Sequence, residues 1–285
     1  MKTSMISNTS TKKKTGTMKN NRSFSDTQML EYGIMQPYSN ISCFSTTRHG
    51  GCGEGAYATF NCTHYCDDNP AHVKANLEHV KAYLNRAKAS QEKCQHVLII
   101  PRQTHTTNVR VITGLSTDEE LQNVDAVVTS LKNTCVCVST ADCVPVLLYD
   151  KNRQVVAAIH AGWRGTVGRI VEKTLDVMHA EYGTEGKDVV ACIGPSISLE
   201  AFEVGDEVYD AFAEAGFDMN RMARKYEKWH LDLWEANRMQ LLAKGVLPEQ
   251  IEVAGICTYQ HYEDFFSARR LGIKSGRILS GICME

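Results

Sequence analysis

The chain has 285 residues, of which 43% are hydrophobic and 22% are charged, and its formal net charge is −2. This length and composition are typical of a globular protein with one large domain or two small ones. A net charge so close to zero provides no general attraction to nucleic acid or to a membrane surface, and no apolar run is long enough to span a bilayer. We therefore expect neither nucleic acid nor a membrane as a partner.

The chain contains eleven cysteines, scattered without a regular spacing. An odd number of thiols, together with an N-terminus that lacks the apolar segment of a secretory signal, argues against a disulfide-stabilised secreted fold. We therefore expect reduced thiols and a cytoplasmic protein.

Residues 1–34 are expected to form a disordered polar extension. Lysine, serine, threonine and asparagine dominate up to about Met29, and no acidic residue precedes Asp26. Such a composition cannot bury a hydrophobic core. A single folded domain is accordingly expected over residues 35–285, and the residues before it should be dispensable.

Short β-rich runs and amphipathic helices then follow in mixed order. Residues 41–47 read as a strand that leads through Arg48 into a glycine-rich turn, and residues 70–87 carry apolar side chains at helical spacing. Further strands are predicted at residues 96–100, 109–113, 188–193, 252–256 and 278–282. Because strands and helices do not alternate strictly and hairpins are present, the pattern favours one α/β sandwich of the α+β class with a mixed sheet.

The most informative stretch is a predicted hairpin. Residues 144–149 and 154–159 read as two strands joined by a four-residue turn, with Cys143 just before the first strand and His160 just after the second. Paired strands bring their open ends together, so these two side chains should be neighbours. A thiol beside an imidazole indicates either a metal site or a nucleophile–base pair.

Several segments resemble those of the laccase-domain family, whose members are labelled polyphenol oxidases and were later described as purine nucleoside phosphorylases. The segments are TTRHGG (46–51), NCTHYCDDNPAHVKANLEHV (61–80), RQTHTTNV (102–109), NVDAVVTS (123–130), STADCVPVLLYD (139–150), AAIHAGWRGT (157–166), IGPSISLEAFEVGDEV (193–208) and FSARRLGIKSGRILSGI (266–282). They occur in order from about Ser45 to the C-terminus. The resemblance implies one laccase-type catalytic domain with a cysteine-hydrolase-like fold.

The resemblance also implies a metal site formed by His105, Cys143 and His160. Two imidazoles and a thiolate are three ligands for a tetrahedral cation, which leaves a fourth position open, as in catalytic zinc sites. Copper is also compatible with such ligands. No two histidines of this chain are two residues apart, as they would be in a multicopper oxidase, so at most one mononuclear site is expected.

Catalytic roles for Arg48, Asp142 and Cys143 are implied as well. Arg48 ends a strand beside a glycine-rich turn, and its guanidinium could hold phosphate by two parallel hydrogen bonds. Asp142 could protonate the leaving purine or orient a metal ligand, and both roles stay open. Substrate contacts are expected from Arg48, Asn61, His64, Gln103, Arg164, Arg269, Arg270 and Arg277.

The resemblance thus implies a metal-dependent phosphorylase that acts on adenosine, inosine, guanosine and methylthioadenosine with phosphate, and that also deaminates adenosine. Three alternatives remain open: a thiol hydrolase that edits cell-wall precursors with Cys143 and His160, a mononuclear copper polyphenol oxidase, and a metal-binding module without catalysis. A chelator separates the first alternative from the metal enzymes, because a thiol enzyme has no essential metal and would keep its activity.

Overall fold

The computed structural model describes residues 29–86 and 95–285. In these ranges the strands are β1 (Met29–Glu31), β2 (Ile41–Thr46), β3 (Val97–Ile99), β4 (Val109–Ile112), β5 (Ala126–Thr129), β6 (Thr134–Thr140), β7 (Val144–Asp150), β8 (Val155–Ala161), β9 (Val189–Ile193), β10 (Glu203–Val204), β11 (Ala223–Lys225), β12 (Trp229–Leu231), β13 (Ile251–Val253) and β14 (Ile278–Met284). The helices are α1 (Pro70–Arg86), α2 (Trp163–Val167), α3 (Ile170–Tyr182), α4 (Asp206–Glu214), α5 (Met219–Met222), α6 (Leu233–Ala243) and α7 (Ala268–Leu271). None of these helices has the length and apolar character needed to cross a membrane.

Five strands form one sheet in the order β1, β2, β14, β6 and β3. Neighbours are antiparallel except β3 and β6, which are parallel. The strand β14 lies in the middle, since Ser280 is opposite Ser45 of β2 on one side and Val138 of β6 on the other. Its backbone hydrogen-bonding groups are therefore satisfied along both edges.

A second sheet has six strands in the order β13, β9, β7, β8, β5 and β4. Its centre is antiparallel, and its outer pairs, β13 with β9 and β4 with β5, are parallel. The strands β7 and β8 form the predicted hairpin, with Pro145 opposite His160 and Asp150 opposite Val155. Three short strands, β10, β12 and β11, make a third sheet.

The two large sheets pack face to face. Successive side chains of a strand point to opposite faces, so Leu147 and Tyr149 of β7 enter a core that they share with Val136 and Ile282 of the five-stranded sheet. Each fully buried aliphatic side chain of this kind stabilises the fold by roughly 1.5–3 kcal/mol. This inner core holds the sheets together.

Helices cover the outer face of each large sheet. Val146 of β7 shares a core with Leu175 of α3 and Leu241 of α6. On the other side of the molecule, Val80 and Leu84 of α1 are buried with residues of the five-stranded sheet. The domain therefore has four layers: helix, sheet, sheet and helices.

The α+β class is confirmed, but the expected single mixed sheet is wrong. The chain forms two large sheets and a small third one. Each strand is visible in the sequence as a local pattern, whereas the pairing of Ser280 with Ser45 joins segments 235 residues apart. Local patterns carry no information on such a pairing, so they could not show that the strands divide between two sheets.

The folded part also begins earlier than expected. The strand β1 pairs antiparallel with β2, and the side chains of Leu30 and Tyr32 are buried. The hydroxyl of Tyr32 lies 2.7 Å from Ser45 Oγ. The predicted domain boundary is therefore wrong for residues 29–34, which belong to the core. The expectation of disorder before residue 29 lies outside the described residues.

Candidate metal centre and active site

Two strand ends and one loop bring two histidines and a cysteine together. Cys143 lies directly before β7, and His160 lies on β8 opposite Pro145. His105 comes from the loop between β3 and β4, and its Nε2 is 3.7 Å from Cys143 Sγ. The candidate ligand atoms of His105, Cys143 and His160 all lie within 4.8 Å of one another. The hairpin register explains why Cys143 and His160 are neighbours.

The group has a buried side and an open side. His160 is buried, Cys143 is partly exposed and His105 is exposed. The two imidazole rings meet edge to face, with 4.8 Å between their centroids. A small molecule can therefore approach the group from the side of His105.

A buried carboxylate, Asp125, organises this centre. It lies just before β5, and its Oδ1 accepts hydrogen bonds from His160 Nδ1 at 2.7 Å and from the backbone N–H of His105 at 3.0 Å. Its Oδ2 accepts from the Thr106 amide at 2.8 Å and from the Thr106 hydroxyl at 2.6 Å. One side chain thus fixes the ring of one histidine and the backbone of the other.

This hydrogen bond also selects the tautomer of His160. Because Nδ1–H donates to Asp125, Nε2 carries the lone pair of the neutral ring and is the nitrogen available to a metal ion. The sequence predictions did not include Asp125. Its only signal was an acidic residue at the start of a strongly apolar strand, within the segment NVDAVVTS.

The backbone around the centre is held in uncommon conformations. His105 has φ of 64° and Asp142 has φ of 85°, both in a region that residues other than glycine rarely adopt. At Gly162, a Cβ atom would lie 2.9 Å from His105 Cδ2 and 3.1 Å from Cys143 Sγ. Only glycine leaves room there for both side chains.

The charges of Cys143, His160 and Asp125 depend on one another. Burial raises the pKa of the Cys143 thiol, but the charge of His160 and hydrogen bonds with both histidines outweigh it and lower that pKa to about 6. Burial lowers the pKa of His160, but the Cys143 thiolate and the hydrogen bond to Asp125 raise it to about 9. Burial also raises the pKa of Asp125, yet its hydrogen bonds with His160 and Thr106 bring it to about 2. Without a metal, the group at neutral pH holds a thiolate, an imidazolium and a carboxylate.

The donor set fits one metal ion. Two ligands of a tetrahedral zinc ion, one nitrogen and one sulfur, are about 3.6 Å apart when each has its usual bond length. The distance between His105 Nε2 and Cys143 Sγ, 3.7 Å, is close to that value. Cys143 is already a thiolate near neutral pH, and Asp125 supplies the partner that metal-binding histidines generally have on their other nitrogen.

Asp142 has its partners outside this group. Its Oδ1 accepts from the Thr258 hydroxyl at 2.7 Å, and its Oδ2 accepts from the backbone N–H of Arg269 at 2.7 Å. The carboxylate that contacts the two histidines is that of Asp125. The contacts of Asp142 attach the loop before Cys143 to the beginning of α7.

The guanidinium of Arg48 is bound by backbone carbonyls. Its Nε and Nη2 donate to Ala58 O at 3.0 and 2.9 Å, and its Nη1 donates to Tyr262 O at 2.5 Å. The side chain also stacks over the ring of Phe266, 5.1 Å from its centroid. The forked edge that was expected to hold phosphate therefore binds the Ala58 carbonyl, and Arg48 joins two loops.

The four other candidate arginines differ in their contacts. Arg277 donates to carbonyls of its own loop, those of Ile273 at 2.9 Å and of Ser275 and Gly276. Arg164, Arg269 and Arg270 are exposed. Their contacts are the Trp163 ring for Arg164, the Phe202 ring and Glu203 O for Arg269, and the rings of Tyr259 and Tyr262 for Arg270.

Two residues that were expected to contact the substrate form hydrogen bonds with other residues of the chain. Gln103 pairs with the end of β6, because its Oε1 accepts from Ser139 N at 2.7 Å and its Nε2 donates to Ser139 O at 2.8 Å. Asn61 is buried, donates to Asp68 at 2.8 Å and accepts from the amide of Arg277 at 3.1 Å. Both amides stabilise loops near the centre.

His64 is exposed, and it lines a groove of about 610 Å³ between α1 and β3. Leu77 and Leu98 are among the apolar residues of this groove. His105, Cys143 and His160 are not among its lining residues.

These features define an α+β protein of four layers with a candidate mononuclear metal centre at the ends of β7 and β8, the two central strands of its six-stranded sheet. The chain matches the family described as "Multi-copper polyphenol oxidoreductase laccase" over residues 42–285, and it belongs to this family. The match includes every residue of the candidate centre.

Individual relatives resemble the chain over most of its length. It is 55% identical over 270 residues to a purine nucleoside phosphorylase of Bacteroides thetaiotaomicron, a match that covers 91% of this chain and 97% of the relative. It is 40% identical over 252 residues to adenosine deaminase RL5 of an unknown prokaryotic organism, a match that covers 85% of this chain and 93% of the relative. The fold matches the crystal structure of the Bacillus licheniformis hypothetical protein YfiH with a TM-score of 0.81 at 28% sequence identity. This match covers 92% of the present chain and 98% of the YfiH chain.

Proposed function

We propose that this protein is a metal-dependent purine nucleoside phosphorylase that acts on adenosine, inosine, guanosine and methylthioadenosine. The observation that carries the proposal is the His105–Cys143–His160 group in a chain so similar to a relative named as a purine nucleoside phosphorylase. In this reaction phosphate attacks the anomeric carbon of the ribose, the glycosidic bond breaks, and the purine leaves and takes up a proton.

The metal is assigned as zinc, with copper as the alternative, and its ligands are His105, Cys143 and His160. When bound, the ion supplies a Lewis acid that stabilises negative charge developing on the substrate. Asp125 holds one ligand ring and the backbone of another, so the ligands are aligned before substrate binds. The exposure of His105 gives the nucleoside access to the centre.

Phosphate is assigned to Arg164. This residue is two positions after Gly162, where an added Cβ would meet His105 and Cys143, and its side chain is exposed. Within the described chain its guanidinium contacts the Trp163 ring, 4.2 Å away, and is not engaged by a hydrogen bond. It therefore keeps the forked edge that a phosphate group prefers, whereas that of Arg48 is occupied.

Asp142 is assigned a positioning role rather than that of a proton donor. Both of its oxygens already accept hydrogen bonds within the fold, from the Thr258 hydroxyl and from the Arg269 amide. It thereby fixes the loop that carries Cys143 and the backbone of Arg269.

Adenosine deamination is a second candidate activity, because one relative is named as an adenosine deaminase. In that reaction water replaces the C6 amino group of the purine and ammonia is released. The same nucleoside site would serve both reactions, and only phosphorolysis would depend on phosphate.

A thiol hydrolase would use part of the same geometry, since Cys143, His160 and Asp125 are ordered as nucleophile, base and orienting carboxylate. Such an enzyme has no need of a second imidazole. His105, 3.7 Å from the sulfur, therefore favours the metal site.

The test compares metal-free protein with zinc- and copper-reconstituted protein on the four nucleosides, with and without phosphate. Formation of free base should require both metal and phosphate, and His105→Ala should abolish it. Turnover that persists in a chelator but stops after thiol alkylation would instead identify a thiol enzyme.

Two arginine variants test the phosphate assignment. Arg164→Lys keeps the charge but loses the fork, so the KM for phosphate should rise by about tenfold, which corresponds to about 1.4 kcal/mol. Arg48→Lys is the matched control and should leave this KM unchanged while lowering the unfolding midpoint. The opposite result would return the phosphate site to Arg48.

A further inference from the structure

A second group of metal-ligating side chains lies away from the centre described above. His96 precedes β3, while Cys283 and Glu285 lie at the end of β14. The candidate ligand atoms of these three residues lie within 4.8 Å of one another. The proposed phosphorylase reaction uses none of them.

The two groups are at opposite ends of the five-stranded sheet. Along β6, Cys135 is opposite Cys283, and Thr140 is opposite Ile278. Cys143 follows the Thr140 end of this strand. At the usual rise of a β-strand, the two ends are separated by roughly 17 Å, so one group cannot form part of the other.

The imidazole of His96 is oriented as in a metal ligand. Its Nδ1 lies 3.1 Å from Asn85 Oδ1 and donates to it, which leaves the lone pair of the neutral ring on Nε2. This Nε2 is buried and has no hydrogen-bond partner among the residues that the structure describes. It lies 3.5 Å from Glu285 Oε1, beyond a good hydrogen bond. A lone pair that faces a carboxylate is repelled unless a proton or a metal cation lies between them, and 3.5 Å is long for the hydrogen bond that a proton would make.

The distances suit a shared cation. A nitrogen and an oxygen bound to the same tetrahedral zinc ion are about 3.4 Å apart, close to the 3.5 Å between His96 Nε2 and Glu285 Oε1. Both ligands have an orienting partner, as metal ligands generally do: Asn85 for His96, and the Ser42 hydroxyl, 3.2 Å from Oε1, for Glu285.

We propose that His96, Cys283 and Glu285 form a second, structural site for a zinc-like divalent cation. One nitrogen, one sulfur and one oxygen ligand suit zinc, whereas magnesium and calcium prefer oxygen ligands alone. On binding, the Cys283 thiol loses its proton and the sulfur takes the metal. The ion ties the end of β14 to the residue that precedes β3, the edge strand of this sheet.

The test uses the full chain with the first centre removed by the double substitution His105→Ala and Cys143→Ala. Metal-free protein is titrated with Co²⁺, whose bond to a thiolate gives a charge-transfer absorption. One equivalent should bind with this absorption, and adding either His96→Gln or Cys283→Ser should abolish it. Zinc at a hundred times its Kd should raise the unfolding midpoint by several degrees, because it binds only the folded state.

An exposed thiol supplies the matched control. Cys52 is exposed, and Cys52→Ser in the same background should leave the bound equivalent and its absorption unchanged. The proposal is overturned if the double variant binds no Co²⁺, if the absorption survives both ligand substitutions, or if Cys52→Ser removes it. Should Cys283→Ser not fold, Glu285→Gln at the partly exposed end of the group must weaken Co²⁺ binding at least tenfold, and unchanged affinity contradicts the site.

Discussion

Replacement of Asp125 by asparagine tests whether this buried carboxylate aligns the metal ligands. The side chain keeps its size, and Oδ1 can still accept from His160 Nδ1. An NH₂ group, however, takes the place of Oδ2, which accepts from the amide of Thr106 at 2.8 Å and from its hydroxyl at 2.6 Å. The hydroxyl can rotate to become an acceptor, but the amide cannot.

Two weakened hydrogen bonds determine how far the free energy of unfolding falls. The Thr106 amide faces another donor and loses its partner, which costs about 1 kcal/mol because this residue is only half-buried. The hydrogen bond to His160 loses its charged acceptor, a difference of roughly 1–2 kcal/mol. Metal-free Asp125→Asn should therefore unfold with a free energy about 2–3 kcal/mol lower than the wild type. Its zinc affinity should fall by roughly 10–100-fold, because the orienting partner of a ligand is lost.

Urea unfolding of the metal-free protein measures the first effect, and competition with a chromophoric zinc chelator measures the second. Asp150→Asn is the matched control, because this buried carboxylate lies at the other end of β7 and accepts from the backbone amides of Asn152 and Arg153. Its zinc affinity should stay within about threefold of the wild type. Wild-type affinity in Asp125→Asn, or an equal loss in both variants, would refute the reasoning.

Three further predictions concern the centre and the first strand. Gly162→Ala should weaken zinc binding at least tenfold, because its Cβ would meet His105 and Cys143. Gly114→Ala should not, because the nearest heavy atoms among the described residues, beyond its chain neighbours, are more than 4 Å from the added Cβ. In metal-free protein the thiolate absorption of Cys143 should titrate near pH 6. The difference in free energy of unfolding between the wild type and Cys143→Ser should shrink as pH falls through about 6, where the thiolate is protonated. It should also shrink as pH rises through about 9, where His160 loses its proton. A midpoint near the ordinary thiol value would contradict this. Truncation of residues 1–34 should lower the free energy of unfolding by roughly 3–6 kcal/mol relative to truncation of residues 1–28, since the buried side chains of β1 and Tyr32 are lost; equal urea midpoints would show that they do not contribute.

The hairpin of β7 and β8 was predictable because everything that defines it is local. Two β-rich runs, a polar turn and chemically distinctive residues at the open ends are visible within a single stretch of sequence. The position of Cys143 beside His160 follows from strand pairing alone. His105, by contrast, is an ordinary loop histidine in the sequence, and only the family resemblance connected it with the other two.

Side-chain direction was not predictable. Arg48 ends a strand beside a glycine-rich turn, which is compatible with phosphate binding, yet its guanidinium turns toward Ala58 and Tyr262. The role of Asp125 depends on a contact with His160, 35 residues later in the chain. Sequence patterns describe neighbours along the chain, whereas these contacts are set by how loops and sheets meet in space.

The central position of β14 has a consequence for the order in which the protein can be assembled during synthesis. The ribosome makes β2 and β6 long before β14, which must insert between them, and Ser280 pairs with Ser45 across 235 residues. Until residues 278–284 have left the exit tunnel, the edges of β2 and β6 that will face β14 remain unpaired. Unpaired strand edges promote association with other chains. A nascent chain stalled before residue 278 should therefore depend on chaperones, whereas release of the last strand should complete both sheet edges in one step.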